Sequence, residues 1–198
     1  MVITISREFG SGGHEIGEKV AKELGLAFYD KEIVFKVAEQ SGFDISFISQ
    51  QGEYIRNNSL LFNLSARKRI NFEDPTDKVF RIQKEIIQNL AKEDNCLIVG
   101  RCADYILREA GIDSINIFIS SDLKHREKRI LKIYGENEIP IRKRLDQADK
   151  QRQNYFQYYT QTTWGSRENY HLCLDSGAFG EEACVKAIVD LARSKYEK

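Results

Sequence analysis

Short apolar runs alternate with amphipathic segments along most of the chain. The apolar runs predict five β-strands, over residues 2–5, 27–29, 96–99, 115–119 and 171–174. Between them, apolar residues recur about once per helical turn, which predicts helices over residues 14–24, 31–40, 77–91, 102–109, 122–134 and 181–196. Strands that alternate with helices predict an α/β fold, with a mostly parallel five-stranded sheet covered by helices on both faces.

Two stretches do not continue this pattern. Residues 41–75 are polar and irregular, with scattered apolar positions at Phe47, Ile48 and residues 60–62, and residues 135–166 are charged and then rich in Tyr, Gln and Thr. In α/β proteins ligands bind at the carboxyl ends of the strands. We therefore interpret both stretches as functional excursions from a single domain, with solvated decorations or an oligomer contact as the alternative.

Composition excludes several classes of function. The chain has 198 residues, with 30 Lys and Arg and 30 Asp and Glu. Its net charge of zero does not predict a protein that binds nucleic acid through an excess of positive charge. No apolar run approaches the roughly 18 residues of a membrane span, and no signal segment is legible, so we expect a cytoplasmic protein with no membrane partner. The four cysteines show no paired spacing, and we predict reduced thiols and no protein set of metal ligands.

A glycine-rich turn follows the first predicted strand and opens the first predicted helix. Glycines let backbone amides converge on an anion, and a helix start adds partial positive charge. The phosphate-loop pattern G-x-x-x-x-G-K-[ST], aligned on Gly12, would require Gly at Arg7 and Lys at Gly13. We expect Arg7 to supply the missing charge. The residues predicted to hold phosphate are Gly10, Ser11, Gly12, Gly13 and His14.

Arginines recur after the later strands. Arg101 follows the third strand, and Arg126 and Arg129 lie three residues apart on a predicted helix, so both positions are candidates for anion contact. Asp149 and Arg152 are also three residues apart, in the basic cluster 142–152. Such carboxylates can aim arginines at phosphate, although a salt-bridged surface helix is the alternative.

The aromatic run 155–159, with Trp164 and Tyr170, could stack on a base, but we predict that it packs in the core or at an oligomer contact. No Ser-His-Asp or Cys-His arrangement is legible, so the sequence does not support nucleophilic catalysis.

Together these residues resemble the cytidylate kinase-like branch of the P-loop nucleoside monophosphate kinases. The segment 6–13 lies where the phosphate loop belongs, and residues 29–36 resemble the start of the monophosphate-binding region. Gly100 and Arg101 resemble a Gly-Arg-Asp motif, with Cys102 in place of its Asp. Asp149 and Arg152 fit the lid pattern R-D-x-x-D-x-x-R, with Asp146 at its first carboxylate and Leu145 where its first arginine is expected.

The resemblance implies a P-loop kinase fold that transfers the γ-phosphoryl group of ATP, with Mg²⁺, to a nucleoside monophosphate, CMP or dCMP being favoured. It divides the chain into a core of residues 1–30, 76–134 and 167–198, an acceptor-binding region at about 31–75 and a lid region at about 135–166. His14 stands where a magnesium-binding Ser or Thr is usual. The implied substrate-binding residues are Asp30, Lys36 and Arg101, and the implied catalytic residues are Arg7, Arg101, Arg144, Asp149 and Arg152.

Three alternatives stay open because the loop lysine is missing. The chain could be a nucleotide-binding regulatory module without turnover, a P-loop kinase for a non-nucleotide acceptor, or an interaction protein that uses the 155–159 region. The sequence also leaves homo-oligomerisation open.

Overall fold

The computed structural model describes residues 1–51 and 74–196. Its five strands lie in one sheet with the order β2-β3-β1-β4-β5, and every pairing between them is parallel. The predicted sheet is therefore confirmed, with no antiparallel strand among the described residues. The strands are β1 (Val2–Arg7), β2 (Ala27–Tyr29), β3 (Cys96–Val99), β4 (Ile115–Ser120) and β5 (Leu172–Asp175).

Helices cover both faces of the sheet, and the six predicted ones start and end within two residues of their observed bounds. The described helices are α1 (Gly13–Leu24), α2 (Glu32–Ser41), α3 (Ile45–Gln51), α4 (Pro75–Glu93), α5 (Ala103–Glu109), α6 (Leu123–Tyr134), α7 (Ile141–Thr160), α8 (Ser176–Phe179) and α9 (Glu181–Tyr196), with a 3₁₀ turn at Arg167–Asn169. The predicted excursion at residues 135–166 consists largely of α7.

Alternate residues of β1 and β3 contribute to two separate cores, as the period of two in a strand requires. Leu97 and Val99 of β3 point to one core, where they pack with apolar residues of α1 and α9. Ile98 points to the other core, with residues of α2, α4, α5 and α7. The fold thus has three layers, and the sheet is buried on both faces.

Helix α7 packs against this second core through its aromatic residues. Tyr155 and Phe156 are buried, and the Tyr159 ring stacks on Phe80 with 3.8 Å between centroids. Trp164 packs edge-on against Phe118. The prediction of a packing role for the 155–159 run is confirmed, whereas the apolar positions 60–62 lie outside the described residues.

Candidate functional site

A cavity of about 430 Å³ opens where β1 ends, between the glycine-rich turn, α2, α6 and α7. Four arginines line it: Arg7, Arg101, Arg129 and Arg152. Its outer part is apolar and partly exposed to solvent, and it is formed by Val34, Phe35, Ile45, Ile133 and Tyr134. A ligand that fills the cavity would therefore combine anionic groups with an apolar or aromatic portion.

The glycine loop, residues 10–13, offers backbone amides to this cavity. Gly10 and Gly12 have left-handed backbones, with φ of 83° and 82°, and Gly12 caps the start of α1. The Ser176 hydroxyl holds the loop from outside by donating to the Ser11 carbonyl at 2.5 Å. The first-turn amides of a helix have no intrahelical acceptor. The loop can therefore bind an anion through its backbone.

Two of the three departures from the phosphate-loop pattern, Arg7 and Gly13, lie next to each other. A Cβ atom at Gly13 would lie 2.6 Å from Arg7 Cβ and 2.9 Å from Arg7 Cγ, so the Arg7 side chain fills the space in which a residue-13 side chain would start. The Arg7 guanidinium lies 3.8 Å from an Asp30 oxygen. A side chain at position 13 is therefore incompatible with the observed position of the Arg7 side chain.

His14 and Asp30, predicted separately, meet in the structure. His14 Nδ1 lies 2.6 Å from Asp30 Oδ2, and the His14 ring packs edge-on against Phe28 at 5.3 Å. Asp30 directly follows β2, and His14 lies in the first turn of α1, after β1. The two residues meet because the parallel strands end at the same edge of the sheet, and no local sequence pattern predicts their contact. The pair fixes the imidazole orientation at the cavity wall.

Mg²⁺ prefers hard oxygen ligands and is usually held by one or two carboxylates together with substrate phosphates. Asp30 offers such a carboxylate at the cavity wall, so the residues fit an ion held mainly by the nucleotide. Within residues 1–51 and 74–196, no three His, Cys, Asp or Glu side chains gather into a protein metal site. When bound, the ion would neutralise charge on the β- and γ-phosphate oxygens.

Two predicted lid residues attach helix α7 to Arg7 and Phe9, which precede the glycine loop. The Asp149 carboxylate accepts a hydrogen bond from the Phe9 amide at 2.7 Å and pairs with Arg126, whose Nε donates to the Phe9 carbonyl at 2.9 Å. Arg152 donates to the Arg7 carbonyl at 3.0 Å, and its guanidinium lies 5.7 Å from the Phe9 ring centroid. The carboxylate-and-arginine arrangement predicted for this helix is present at the cavity.

Arg129 lies directly over the glycine loop. A Cβ atom at Gly12 would come within 3.0 Å of the Arg129 guanidinium, which also lies 3.2 Å from Glu15 and pairs with Glu181. The two arginines predicted on α6 therefore make different contacts. Arg126 binds Phe9 and Asp149 of α7, whereas Arg129 covers the glycine loop.

Arg101 projects from a turn with three successive left-handed residues. The φ values are 76° at Gly100, 58° at Arg101 and 56° at Cys102, and side chains disfavour this region. Arg101 Nη1 donates to Gln83 Oε1 at 3.3 Å, and the Gln83 amide donates back to the Arg101 carbonyl at 3.1 Å. We call residues 100–102 the arginine turn.

Asp104 lies in the first helical turn after the arginine turn and is only 1% exposed. Neither carboxyl oxygen has a hydrogen-bond partner of normal geometry. Burial raises the pKa of Asp104 from 3.8 to about 6, although the nearby Tyr105 amide and Arg108 oppose the shift. The neutral form of the carboxyl therefore persists to higher pH in the folded protein than in the unfolded chain.

Two predicted site residues lie elsewhere in this arrangement. Lys36 is exposed on α2, and among the described residues the lysine that lines the cavity is Lys31, just before α2. Arg144 is exposed and donates to the Gly135 carbonyl at 2.9 Å, at the end of α6. Their assigned roles stay predictions that this arrangement of α2 and α7 does not support.

Sequence reasoning missed Gln83 completely. It is fully buried on the apolar face of α4, between Val79 and Ile86. A single polar residue at a core position of an amphipathic helix was the available signal, because buried polar groups require partners.

The chain matches the cytidylate kinase-like family over residues 2–178. It belongs to that family. A cytidylate kinase from Archaeoglobus fulgidus is 26% identical, with 100% of this chain and 98% of that protein covered. A cytidylate kinase from Ignicoccus hospitalis is 24% identical over 94% of this chain and 96% of that protein. The resemblance inferred from the motifs is therefore confirmed for the family.

Solved structures confirm the P-loop kinase fold. The crystal structure of an uncharacterized protein from Eubacterium ventriosum is 25% identical and superposes with a TM-score of 0.72, covering 96% of this chain and 97% of that one. Shikimate kinase from Bacteroides thetaiotaomicron is 13% identical with a TM-score of 0.58, covering 98% of each chain, and shows a shared fold alone. Among the described residues of this family member, no helix has the length and apolar character needed to cross a membrane.

Proposed function

We propose that the protein is an ATP-dependent phosphotransferase that acts on a nucleoside monophosphate, with CMP or dCMP favoured. The observation that carries this proposal is the meeting of the glycine loop, four arginines and an apolar outer wall in one cavity. Membership of the cytidylate kinase-like family and relatives named cytidylate kinase support the same chemistry. A nucleotide has the combination of charged phosphate and apolar base that this cavity suits.

On the donor side, the amides of the glycine loop would bind the ATP phosphates, with His14 at the edge of the loop. Arg7 would carry the charge that a loop lysine usually supplies, held in place by Asp30. Arg129 would cover the phosphates from α6. Fixed donors of this kind stabilise charge that develops during transfer without reorganising.

On the acceptor side, Arg101 would bind the acceptor phosphate, and the exposed Phe35 and Ile45 would contact the base. A monophosphate oxygen would attack the γ-phosphorus as the bond to the β-bridging oxygen breaks, which leaves ADP and a nucleoside diphosphate. Because the attacking phosphate is already ionised, the step depends on alignment and electrostatics.

The lid residues would complete the charge around the transferred group. Arg152 lines the cavity and donates to the Arg7 carbonyl just before the glycine loop, and Asp149 pairs with Arg126 beside it. We propose Arg152 as the lid arginine that stabilises the transition state, and Asp149 as the carboxylate that aligns the cluster.

A second candidate is a hydroxyl-bearing acceptor that is not a nucleotide. The His14–Asp30 pair favours it, because a carboxylate that accepts from Nδ1 leaves Nε2 as a proton acceptor. A hydroxyl acceptor needs such a base, whereas a monophosphate does not. A third candidate, a nucleotide-binding module without turnover, is favoured by the absence of a loop lysine.

The decisive experiment measures phosphoryl transfer from Mg-ATP to CMP, dCMP, UMP, AMP and GMP, with products separated by chromatography. A parallel panel offers cytidine and shikimate as hydroxyl acceptors. We expect turnover of CMP or dCMP that is lost in Arg101→Ala. Turnover in the hydroxyl panel alone would favour the second candidate. ATP binding in calorimetry without any turnover would favour the regulatory module.

A further inference from the structure

The conformation of the arginine turn has no local explanation. Arg101 and Cys102 both have left-handed backbones, and only Gly100 is a residue that adopts this region readily. Two adjacent side-chain-bearing residues keep such a conformation only where the surrounding structure imposes it. The contacts that impose it determine where the Arg101 guanidinium lies.

Gln83 supplies contacts of this kind. Its Oε1 accepts from Arg101 Nη1 at 3.3 Å, while its Nε2 donates to the Arg101 carbonyl at 3.1 Å. One side-chain amide therefore holds both the backbone and the guanidinium of the same arginine. The reverse amide orientation would set an oxygen against the Arg101 carbonyl, so the network allows one orientation.

The same amide reaches the lid helix. Gln83 Nε2 also donates to the Tyr155 hydroxyl at 3.0 Å. Tyr155 lies on α7, three residues after Arg152, and is buried together with Gln83. With two donor hydrogens and one acceptor oxygen engaged, the Gln83 amide joins α4, the arginine turn and α7 in a buried network.

We propose that Gln83 is a positioning residue that holds Arg101 in its left-handed conformation and couples the arginine turn to α7. It acts through Arg101 and does not touch the ligand cavity itself. The kinetic part of this inference rests on the proposed function, in which Arg101 binds the acceptor phosphate. Its structural part stands on the contacts of Gln83 alone.

The test uses Gln83→Met, which keeps the length of the side chain and removes its hydrogen bonds. Gln88→Met, a half-buried position on the same helix, is the matched control. We expect Gln83→Met to raise the KM for CMP about tenfold, the effect of losing a hydrogen bond to a charged group, with the KM for ATP within about twofold. A merely structural role would lower the active fraction and kcat while leaving both KM values unchanged, and that result would overturn the proposal.

Hydrogen exchange measured by mass spectrometry provides a readout that needs no turnover. We expect faster exchange in peptides that cover residues 100–106 and 152–158 in Gln83→Met, and unchanged exchange there in Gln88→Met. Tyr155→Phe should accelerate exchange in the 152–158 peptide and add nothing when combined with Gln83→Met. Unchanged exchange in Gln83→Met would overturn the proposal, whatever the activity of the protein.

The two proposals fail in different ways. A wild-type protein with neither turnover nor CMP binding would overturn the proposed function, and exchange would then decide whether Gln83 holds the turn. An active wild type whose Gln83→Met variant matches Gln88→Met in every readout would overturn only the role of Gln83.

Discussion

The glycine loop and the arginine turn are comparable structures built by different means. Each follows the carboxyl end of a central strand, β1 or β3, each has a left-handed backbone, and each leads into a helix. In the loop the left-handed positions are Gly10 and Gly12, whereas in the turn they include Arg101 and Cys102.

In the proposed function, the difference reflects which part of the chain meets the ligand, backbone in the loop and side chain in the turn. The loop offers backbone amides. Glycine serves there because it has no Cβ atom to strain a left-handed backbone or to block access to the amides. The turn offers a guanidinium, so glycine cannot serve at position 101, and buried contacts with Gln83 maintain the unfavourable backbone. Strain is therefore tolerated where the side chain itself is needed.

The largest effect is expected at Arg152, where α7 contacts Arg7. Arg152→Ala should lower kcat about a thousandfold, as removal of a transition-state arginine does, while the melting temperature falls by only a few degrees. Steady-state kinetics and thermal unfolding measure the two effects. Activity that survives within about twofold would remove Arg152 from the proposed machinery.

Glycine substitution separates strain from function on the loop side. Gly12→Ala places a Cβ atom 3.0 Å from the Arg129 guanidinium, so we expect ATP affinity to fall roughly a hundredfold, near the upper range for contacts to charged groups. Gly25→Ala is the matched control, because φ is 65° there and no atom lies within 4 Å of the new Cβ. It should cost about 1–2 kcal/mol of stability and leave ATP affinity unchanged. Equal losses of affinity in calorimetry would contradict this account of the loop.

Below the arginine turn, Asp104 makes stability depend on pH. Its pKa is raised from 3.8 to about 6 by burial, so its contribution is fully present below the ordinary pKa and is lost as pH rises through 6. Asp104→Asn cannot ionise and so avoids this loss of stability. Its free energy of unfolding should exceed that of wild type by up to about 3 kcal/mol at pH 8 and should equal it at pH 3.5. Urea unfolding at both pH values measures the difference. A gain that is equal at both would contradict the assignment.

The smallest effect is expected at Arg144. Because this exposed side chain donates to the Gly135 carbonyl, Arg144→Ala should change kcat by less than about threefold, a loss of under 1 kcal/mol. A loss that approaches that of Arg152→Ala would restore Arg144 as a lid arginine and would show that α7 rearranges during the reaction.

Local sequence predicted the features whose causes are local. Apolar periodicity located the five strands and six helices, and the glycine run located the loop after β1. The Asp149 and Arg152 spacing identified the face of α7 that contacts Arg7 and Phe9.

The features that sequence reasoning missed depend on distant partners. Gln83 contacts Arg101 from α4, which precedes β3 in the chain. His14 meets Asp30 because β1 and β2 end at the same edge of the parallel sheet. The left-handed conformation of Arg101 was invisible for the same reason, since neither Arg nor Cys favours it. Lys36 was assigned by motif register, whereas the lysine that lines the cavity is Lys31, which precedes the first turn of α2.

The most direct test concerns the exchange between positions 7 and 13. Arg7→Gly and Gly13→Lys, measured singly for phosphoryl transfer to CMP, should each lower kcat/KM about a thousandfold, because one lacks the cation and the other collides with Arg7. The double variant has the glycine and the lysine of the phosphate-loop pattern at positions 7 and 13. We predict a kcat/KM within about tenfold of wild type, because the effects of substitutions at neighbouring positions are not additive. If kcat/KM of the double variant is no higher than that of the less active single variant, the claim that Arg7 replaces the loop lysine is contradicted.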